Sequence, residues 1–323
     1  PLPALPVTVS GQIRRIEEID RYQFSVPKAG PVTIELLARP FGSMLHGMLQ
    51  VRDVNGALLL DVSDSEGRDI ATTFIAQAET KYELSLHDLD FAGDRSYVYR
   101  LTLNAGPHVV AAYPAAGKRG ETRKVEFAGI GVATGGPQLE SVTRDVAFPA
   151  TAGVASFAYS LETPFGNAKP HTLLITDVTE QVEVAGAATP LTAPVAITGF
   201  LEARFGSDQF TLDLKKGEKW ELNAVARAIG SPLDLELQVL GPDGKQVATN
   251  DDEKGTTDAS LSLAVAADGA YRVIVSDRSG KSGSRVANYR LSIEPPREEI
   301  TISFPTQLPI VVGTAAKVAV KVV

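Results

Sequence analysis

Cysteine is absent from the 323-residue chain, which excludes disulfide staples and thiolate zinc or redox sites. Basic residues are outnumbered by acidic ones, 31 to 39, for a formal charge of −8, and no basic run exceeds Lys215-Lys216. Nucleic acid needs a concentrated positive face and is therefore not an expected partner. No run of about 18 apolar residues occurs, so no stretch reads as a membrane-spanning helix. Catalytic signatures are missing as well. There is no H-E-x-x-H, and Gly280-Lys281-Ser282-Gly283-Ser284 lacks the closing glycine of a nucleophile elbow. The same stretch has Val275 where a P-loop needs its first glycine, and Gly129-Ile130-Gly131 is followed by Thr134 where a dinucleotide fingerprint needs its third. His46, His87, His108 and His171 are scattered without ligand spacing. His87 and Asp88 are adjacent, but neighbours on a strand point to opposite faces and make no dyad. The single tryptophan, Trp220, lies on an alternating stretch and is expected in a core rather than on a sugar-stacking platform.

What is present is a repeat. Gly11, Asp20 and Tyr22 recur as Gly199, Asp208 and Phe210, and Arg39, Gly42, Ser43, Leu45, Leu49 and Val51 recur as Arg227, Gly230, Ser231, Leu233, Leu237 and Val239. The offset holds at about 188 residues across the last six pairs. Further on, Asn55-Gly56 is answered by Asp243-Gly244, Tyr82 by Tyr271, Asp88 by Asp277, and Tyr99-Arg100-Leu101 by Tyr289-Arg290-Leu291. One module therefore occurs twice.

Both copies alternate apolar and polar residues with a period of two, the pattern of half-buried strands. In the first copy this holds at 22–26, 32–36, 82–86 and 97–103, and Asn55-Gly56 predicts a hairpin joining 49–54 to 57–62. In the second it holds at 220–224, 235–239, 261–263 and 271–275. Between the copies, Gly106-Pro107 marks a boundary, and 125–127, 157–161 and 171–175 read as strands. The chain opens Pro1-Leu2-Pro3 without methionine and stops inside an alternating stretch, so both ends are expected to be cut from something longer. The predicted fold is all-β, tandem β-sandwiches: residues 1–105, 106–190, 191–296, and at 297–323 the start of a further one.

The segment running from Tyr113-Pro114 through Gly117, Gly120 and Thr122 to Val125-Glu126-Phe127 and Gly129-Ile130-Gly131 resembles the start of immunoglobulin-like domains of the plexin and transcription-factor (TIG) type. The order Gly199, Asp208-x-Phe210, Gly217, Trp220, then 227–234, Asp243-Gly244-Lys245, Asn250-Asp251-Asp252, Asp258, Asp268-Gly269-x-Tyr271 and Tyr289-Arg290-Leu291 resembles the bacterial pre-peptidase C-terminal domain, with the first copy a degenerate relative. That resemblance implies jelly-roll sandwiches with an accessory, non-catalytic role in a secreted, periplasmic or cell-surface protein. It also implies partners among the other domains of a longer chain and an extracellular polymer or matrix protein. A calcium-dependent carbohydrate- or protein-binding module and a cryptic hydrolase stand as alternatives.

Asp234, Asn250, Asp251, Asp252, Asp258 and Asp277 supply oxygen ligands of the kind Ca²⁺ takes, on turns near strand ends. Aspartates also sit in turns because they cap backbone donors, and the spacing is not that of an EF-hand. The first copy has His46, Val62 and Ile70 opposite Asp234, Asn250 and Asp258, so a calcium site would belong to the second copy alone. At a dissociation constant of about 10⁻⁴ M, millimolar calcium would stabilise that module by roughly 1.4 kcal/mol. The expected outcome is a melting temperature lowered by chelator, with Asp258→Ala removing the difference; identical melts with and without calcium would dismiss the site.

Overall fold

The alternating stretches become strands. The computed structural model describes residues 1–63, 69–184, 189–251, 256–280, 283–296 and, beyond these, the backbone of 302–303 and 321–322. In the first unit the strands are β1 (Val7–Gln12), β2 (Asp20–Ser25), β3 (Gly30–Leu37), β4 (Gly47–Asp53), β5 (Leu58–Ser63), β6 (Ile70–Ala76), β7 (Lys81–Asp88) and β8 (Val98–Ala105). They form two four-stranded sheets, ordered β1-β8-β3-β6 and β2-β7-β4-β5. Inward residues such as Ile34, Leu49, Leu84 and Leu101 close one core between them. The expected hairpin is there: Leu49 faces Val62 across β4 and β5, Gly56 takes φ 82°, and Asp53 accepts the N–H groups of Asn55 and Ala57.

The middle unit has β9 (His108–Tyr113), β10 (Ala116–Lys118), β11 (Thr122–Ile130), β12 (Leu139–Ala147), β13 (Ser156–Tyr159), β14 (Glu162–Thr163), β15 (Gly166–Asn167) and β16 (His171–Thr176). Two three-stranded sheets, β12-β11-β9 and β10-β16-β13, enclose Phe127, Phe148, Leu161 and Leu173. β12 escapes sequence reading because its less exposed face includes Glu140 and Arg144, which breaks the apolar alternation.

The second copy contributes β17 (Thr179–Val182), β18 (Thr189–Leu191), β19 (Val195–Phe200), β20 (Ser207–Leu214), β21 (Lys219–Val225), β22 (Leu235–Leu240), β23 (Gln246–Asn250), β24 (Ala259–Ala264), β25 (Gly269–Asp277) and β26 (Asn288–Glu294). Its sheets are ordered β17-β19-β26-β21-β24 and β18-β20-β25-β22-β23. Without β17 and β18 the order is that of the first unit, strand for strand. Those two run parallel to β19 and β20, so residues expected to close the middle sandwich extend the sheets of the next unit instead. Trp220 packs against the core of this unit. In the tail, β27 (Ile302–Ser303) pairs antiparallel with β28 (Lys321–Val322); the remainder of the sandwich expected to start at 297–323 lies outside the described residues.

The recurring landmarks now have physical causes. Gly11 pairs across the ladder with Tyr99, and Gly199 with Tyr289. Both rings are buried and lie over the glycine, so that a Cβ on Gly11 would fall on the Tyr99 ring and one on Gly199 would stand 2.5 Å from Tyr289 Oη. Each hydroxyl donates to the repeated aspartate: Tyr99 to Asp20, and Tyr289 to Asp208 at 2.7 Å. Arg39–Phe41 and Arg227–Ile229 are matching single helical turns, each ended by a glycine in the left-handed region, Gly42 at φ 68° and Gly230 at φ 79°. One landmark is corrected. Asp69, not Ile70, is the counterpart of Asp258, since Asp69 accepts Arg39 N as Asp258 accepts Arg227 N. By this point the repeat has slipped by one residue.

Since neither tyrosine can leave its pocket without losing a buried hydrogen bond, Gly11→Ala and Gly199→Ala are each expected to cost about 1–3 kcal/mol. Urea denaturation of the two variants measures this, and unshifted midpoints would contradict it.

Candidate functional site

Ligand pockets favour the seams between domains, and here three units meet around a cavity of about 630 Å³. The first lends Glu35 and residues 69–71, the middle lends His108, Lys169 and His171, and the second lends residues 227–230. Lys169 pairs with Glu35, Asn104 Nδ2 donates to Asn167 O at 3.1 Å, and Thr33 Oγ1 donates to Gly106 O at 3.1 Å, which together fasten the first unit to the middle one. From the other side, Asp258 Oδ1 accepts Ala226 N and Arg227 N at 2.8 and 2.9 Å, fixing the helical turn whose Gly230 stands over His171.

His171 is 8% exposed, and its Nε2 has no hydrogen-bond partner among the described residues. Burial, seconded by nearby His108, pulls its pKa down to about 4. It is therefore neutral at physiological pH. With no carboxylate or hydroxyl bonded to it among the described residues, the ring lacks the orienting partner that a general base needs.

Next along the seam, the rings of Tyr113 and Phe200 meet edge to face with centroids 5.8 Å apart. The Arg285 guanidinium lies 5.6 Å from the Tyr113 centroid and donates to both oxygens of Glu126 at 2.7 and 2.8 Å. Deeper still, Glu180 on β17 is buried and accepts Arg290 Nε at 2.9 Å and Thr198 Oγ1 at 2.9 Å, while Thr198 Oγ1 accepts Ala115 N at 2.9 Å. Burial pushes the Glu180 carboxyl up and Arg290 pulls it back. Just past β17, Glu183 lies beside Asp208. Burial and that neighbour push Glu183 up to about 7, and burial raises Asp208 too.

The acidic set singled out from the sequence gathers at one end of β22 and β25. Leu235 pairs with Asp277 and Leu237 with Asn250, and Leu235 N donates to Thr257 O beside Asp258. Each described member is already engaged. Asp277 Oδ1 accepts Asp234 N at 3.1 Å and Ser279 Oγ at 2.9 Å, Asn250 Nδ2 donates to Ser260 O, Asp251 pairs with Arg278, and Asp258 caps the helical turn. Asp252 lies outside the described residues. Asp88 repeats the Asp277 device, accepting His46 N at 2.9 Å and the N–H groups of Asp90 and Ala92 at 3.1 Å. Among the described residues no three carboxylate or imidazole side chains converge as metal ligands. The set as placed fits the fastening of turns, and a cation would have to compete with the N–H groups held by Asp258 Oδ1 and Asp277 Oδ1 and with the Arg278 guanidinium at Asp251. His87 stacks on Phe91 with centroids 4.5 Å apart, and its Nδ1 lies 2.8 Å from the backbone oxygen of Asp88. Sequence reasoning missed Glu180, Glu183 and Arg285, because a buried ion pair or a bridge between units leaves no local pattern.

His171 makes stability depend on pH with a definite sign. Its folded-state pKa is depressed, so below pH 6.5 the unfolded chain takes up a proton that the folded chain refuses until about pH 4. The contribution is whole above pH 6.5 and is lost as pH falls toward 4, by up to roughly 3 kcal/mol. Melting temperature against pH is expected to show this limb, and His171→Gln to flatten it; an acid limb unchanged in the variant would refute the assignment.

No protein-family model matches the sequence, and no curated protein matches it. Among solved structures, the chain is similar to the pre-peptidase C-terminal domain of collagenase from Bacillus anthracis, at 13% identity and TM-score 0.28, over 35% of this chain and 99% of that one. It is similar also to the M60 catalytic domain with the CBM51-1 and CBM51-2 domains of ZmpB from Clostridium perfringens, at 9% identity and TM-score 0.22, over 85% of this chain and 33% of that one. A third is the CBM22-1-CBM22-2 tandem domain of Xyn10C from Paenibacillus barcinonensis, at 11% identity and TM-score 0.20, over 90% and 86%. At such scores the likeness says nothing of ligand or activity.

Proposed function

We propose that the chain is a non-catalytic accessory region of a larger secreted or cell-surface protein, one that holds neighbouring parts at a fixed spacing and docks them to an extracellular polymer or matrix. The observation that carries this reading is how the polar side chains are used. Glu180, Arg290, Thr198, Arg285, Glu126, Lys169 and Glu35 are committed to contacts that fasten one unit to the next or close the entry to the second unit. A spacer needs its units locked, since units joined by small polar interfaces move relative to one another. A hydrolase needs converging groups left free to meet a substrate, and the carboxylates gathered at the end of β22 and β25 instead hold backbone donors and an arginine. The secreted setting rests on the resemblance of the repeated unit to the pre-peptidase C-terminal domain. Among the described residues no helix is long and apolar enough to cross a membrane.

Small-angle scattering tests the reading. The maximum dimension is expected to stay constant from low to high salt and to grow in the double variant Phe200→Ser, Arg285→Ala, while each unit keeps its fold by circular dichroism. A dimension that drifts with salt in the unaltered chain, or turnover of a peptide, ester or glycoside abolished by one substitution, would overturn it.

A further inference from the structure

We propose that the outer edge of β1 is an acceptor for one extended acidic segment of another polypeptide, bound as a parallel strand with a glutamate held between Arg100 and Ser10. The second unit shows the occupied state of the same edge. There β17 lies parallel to β19, with Glu180 opposite Ala196. From that position the Glu180 carboxylate takes Arg290 Nε and Thr198 Oγ1, which face each other across β19 and β26. In the first unit the same register sets Ser10 opposite Arg100. A hydroxyl and a guanidinium therefore stand where the second unit holds its glutamate.

The first unit leaves both exposed. β1 is an edge strand with no partner on its outer side among the described residues, and Arg100 has no ion-pair partner among them. A cavity of about 460 Å³ lies over the ends of β1 and β8 beside that edge, lined in part by Ser10, Gly11, Arg14, Phe41, Tyr99 and Arg100. Phe41 is 50% exposed, whereas its counterpart Ile229 is fully buried against the middle unit. Two arginines beside one groove of a chain whose net charge is −8 make a local positive patch, complementary to an acidic strand.

Recognition of this kind takes affinity from main-chain hydrogen bonds along the edge and selectivity from the side chains set into pockets. In β17 only Glu180 is buried, so one acidic residue carries the selectivity. A second copy of the chain is the weaker occupant. Its own β17 is held in its sheet by the buried Glu180 and Arg290 pair and is not free to exchange. The inference goes beyond the spacer reading and does not depend on it.

The experiment uses the whole chain and a fluorescein-labelled peptide with the sequence of residues 177–184 as probe. Saturable anisotropy is expected, weakened at least about tenfold by Glu180→Gln in the peptide and by Arg100→Ala in the protein. Ser10→Asp, which sets a like charge against the peptide, is expected to weaken binding as strongly, with the melting temperature of both protein variants unchanged. Amide shifts on titration should concentrate in residues 7–12. Absence of saturation, or affinity indifferent to these substitutions, would overturn the proposal. So would self-association in sedimentation that Arg100→Ala abolishes, because the occupant would then be a second copy.

Discussion

A carboxylate removed from water must be matched on the spot or it will take up a proton or unfold its surroundings, and Glu180 meets that condition through Arg290 and Thr198. Arg290 belongs to β26, the strand between β19 and β21, so the pair can form only when the second sandwich is complete. Thr198 Oγ1 also accepts Ala115 N from the middle unit, so the hydroxyl that serves this charge also ties the two units together. The run from Ala115 through Thr198 and Glu180 to Arg290 thus forms one continuous chain of hydrogen bonds from the middle unit into the sheet of the second. The ring and guanidinium contacts of Tyr113, Phe200 and Arg285 extend the same seam outward.

About half of the strands were legible in the sequence, because a sheet with one wet face writes its geometry into the chain as alternation. Of those not read, three are informative. β12 was not read because charged residues occupy its inner positions, and β17 and β18 because they are short edge strands whose partners come later in the chain. The repeat was legible for a different reason. Gly11, Asp20 and Tyr99, with Gly199, Asp208 and Tyr289, form one packing unit in which a missing side chain, a ring and a carboxylate fit together, and none can change alone. The candidate site was half legible. That Asp234, Asp258 and Asp277 lie at strand ends could be read from turn chemistry, but which N–H each carboxylate holds is a tertiary fact. His171 could not be singled out, since nothing near it in sequence announces that three units will close over it.

The two copies also record how one scaffold answers one problem in two ways. In the first, the Tyr22 hydroxyl lies 2.5 Å from the Tyr99 hydroxyl. In the second, Phe210 has no hydroxyl, and the acidic neighbour at Asp208 is Glu183, brought in from outside the repeated sequence by β17. What one copy supplies from within its sheet, the other receives from the preceding segment.

That segment enters at a telling place. Thr179 faces Val195, and Val195 faces Ile293, just as Val7 faces Leu103 in the first unit. The points where the polypeptide arrives at and departs from each repeated sandwich are therefore side by side, about 5 Å apart, the spacing of neighbouring strands. Each repeated set of eight strands begins and ends at neighbouring points, so that a copy could be gained or lost in evolution with hardly any displacement of what lies before and after it.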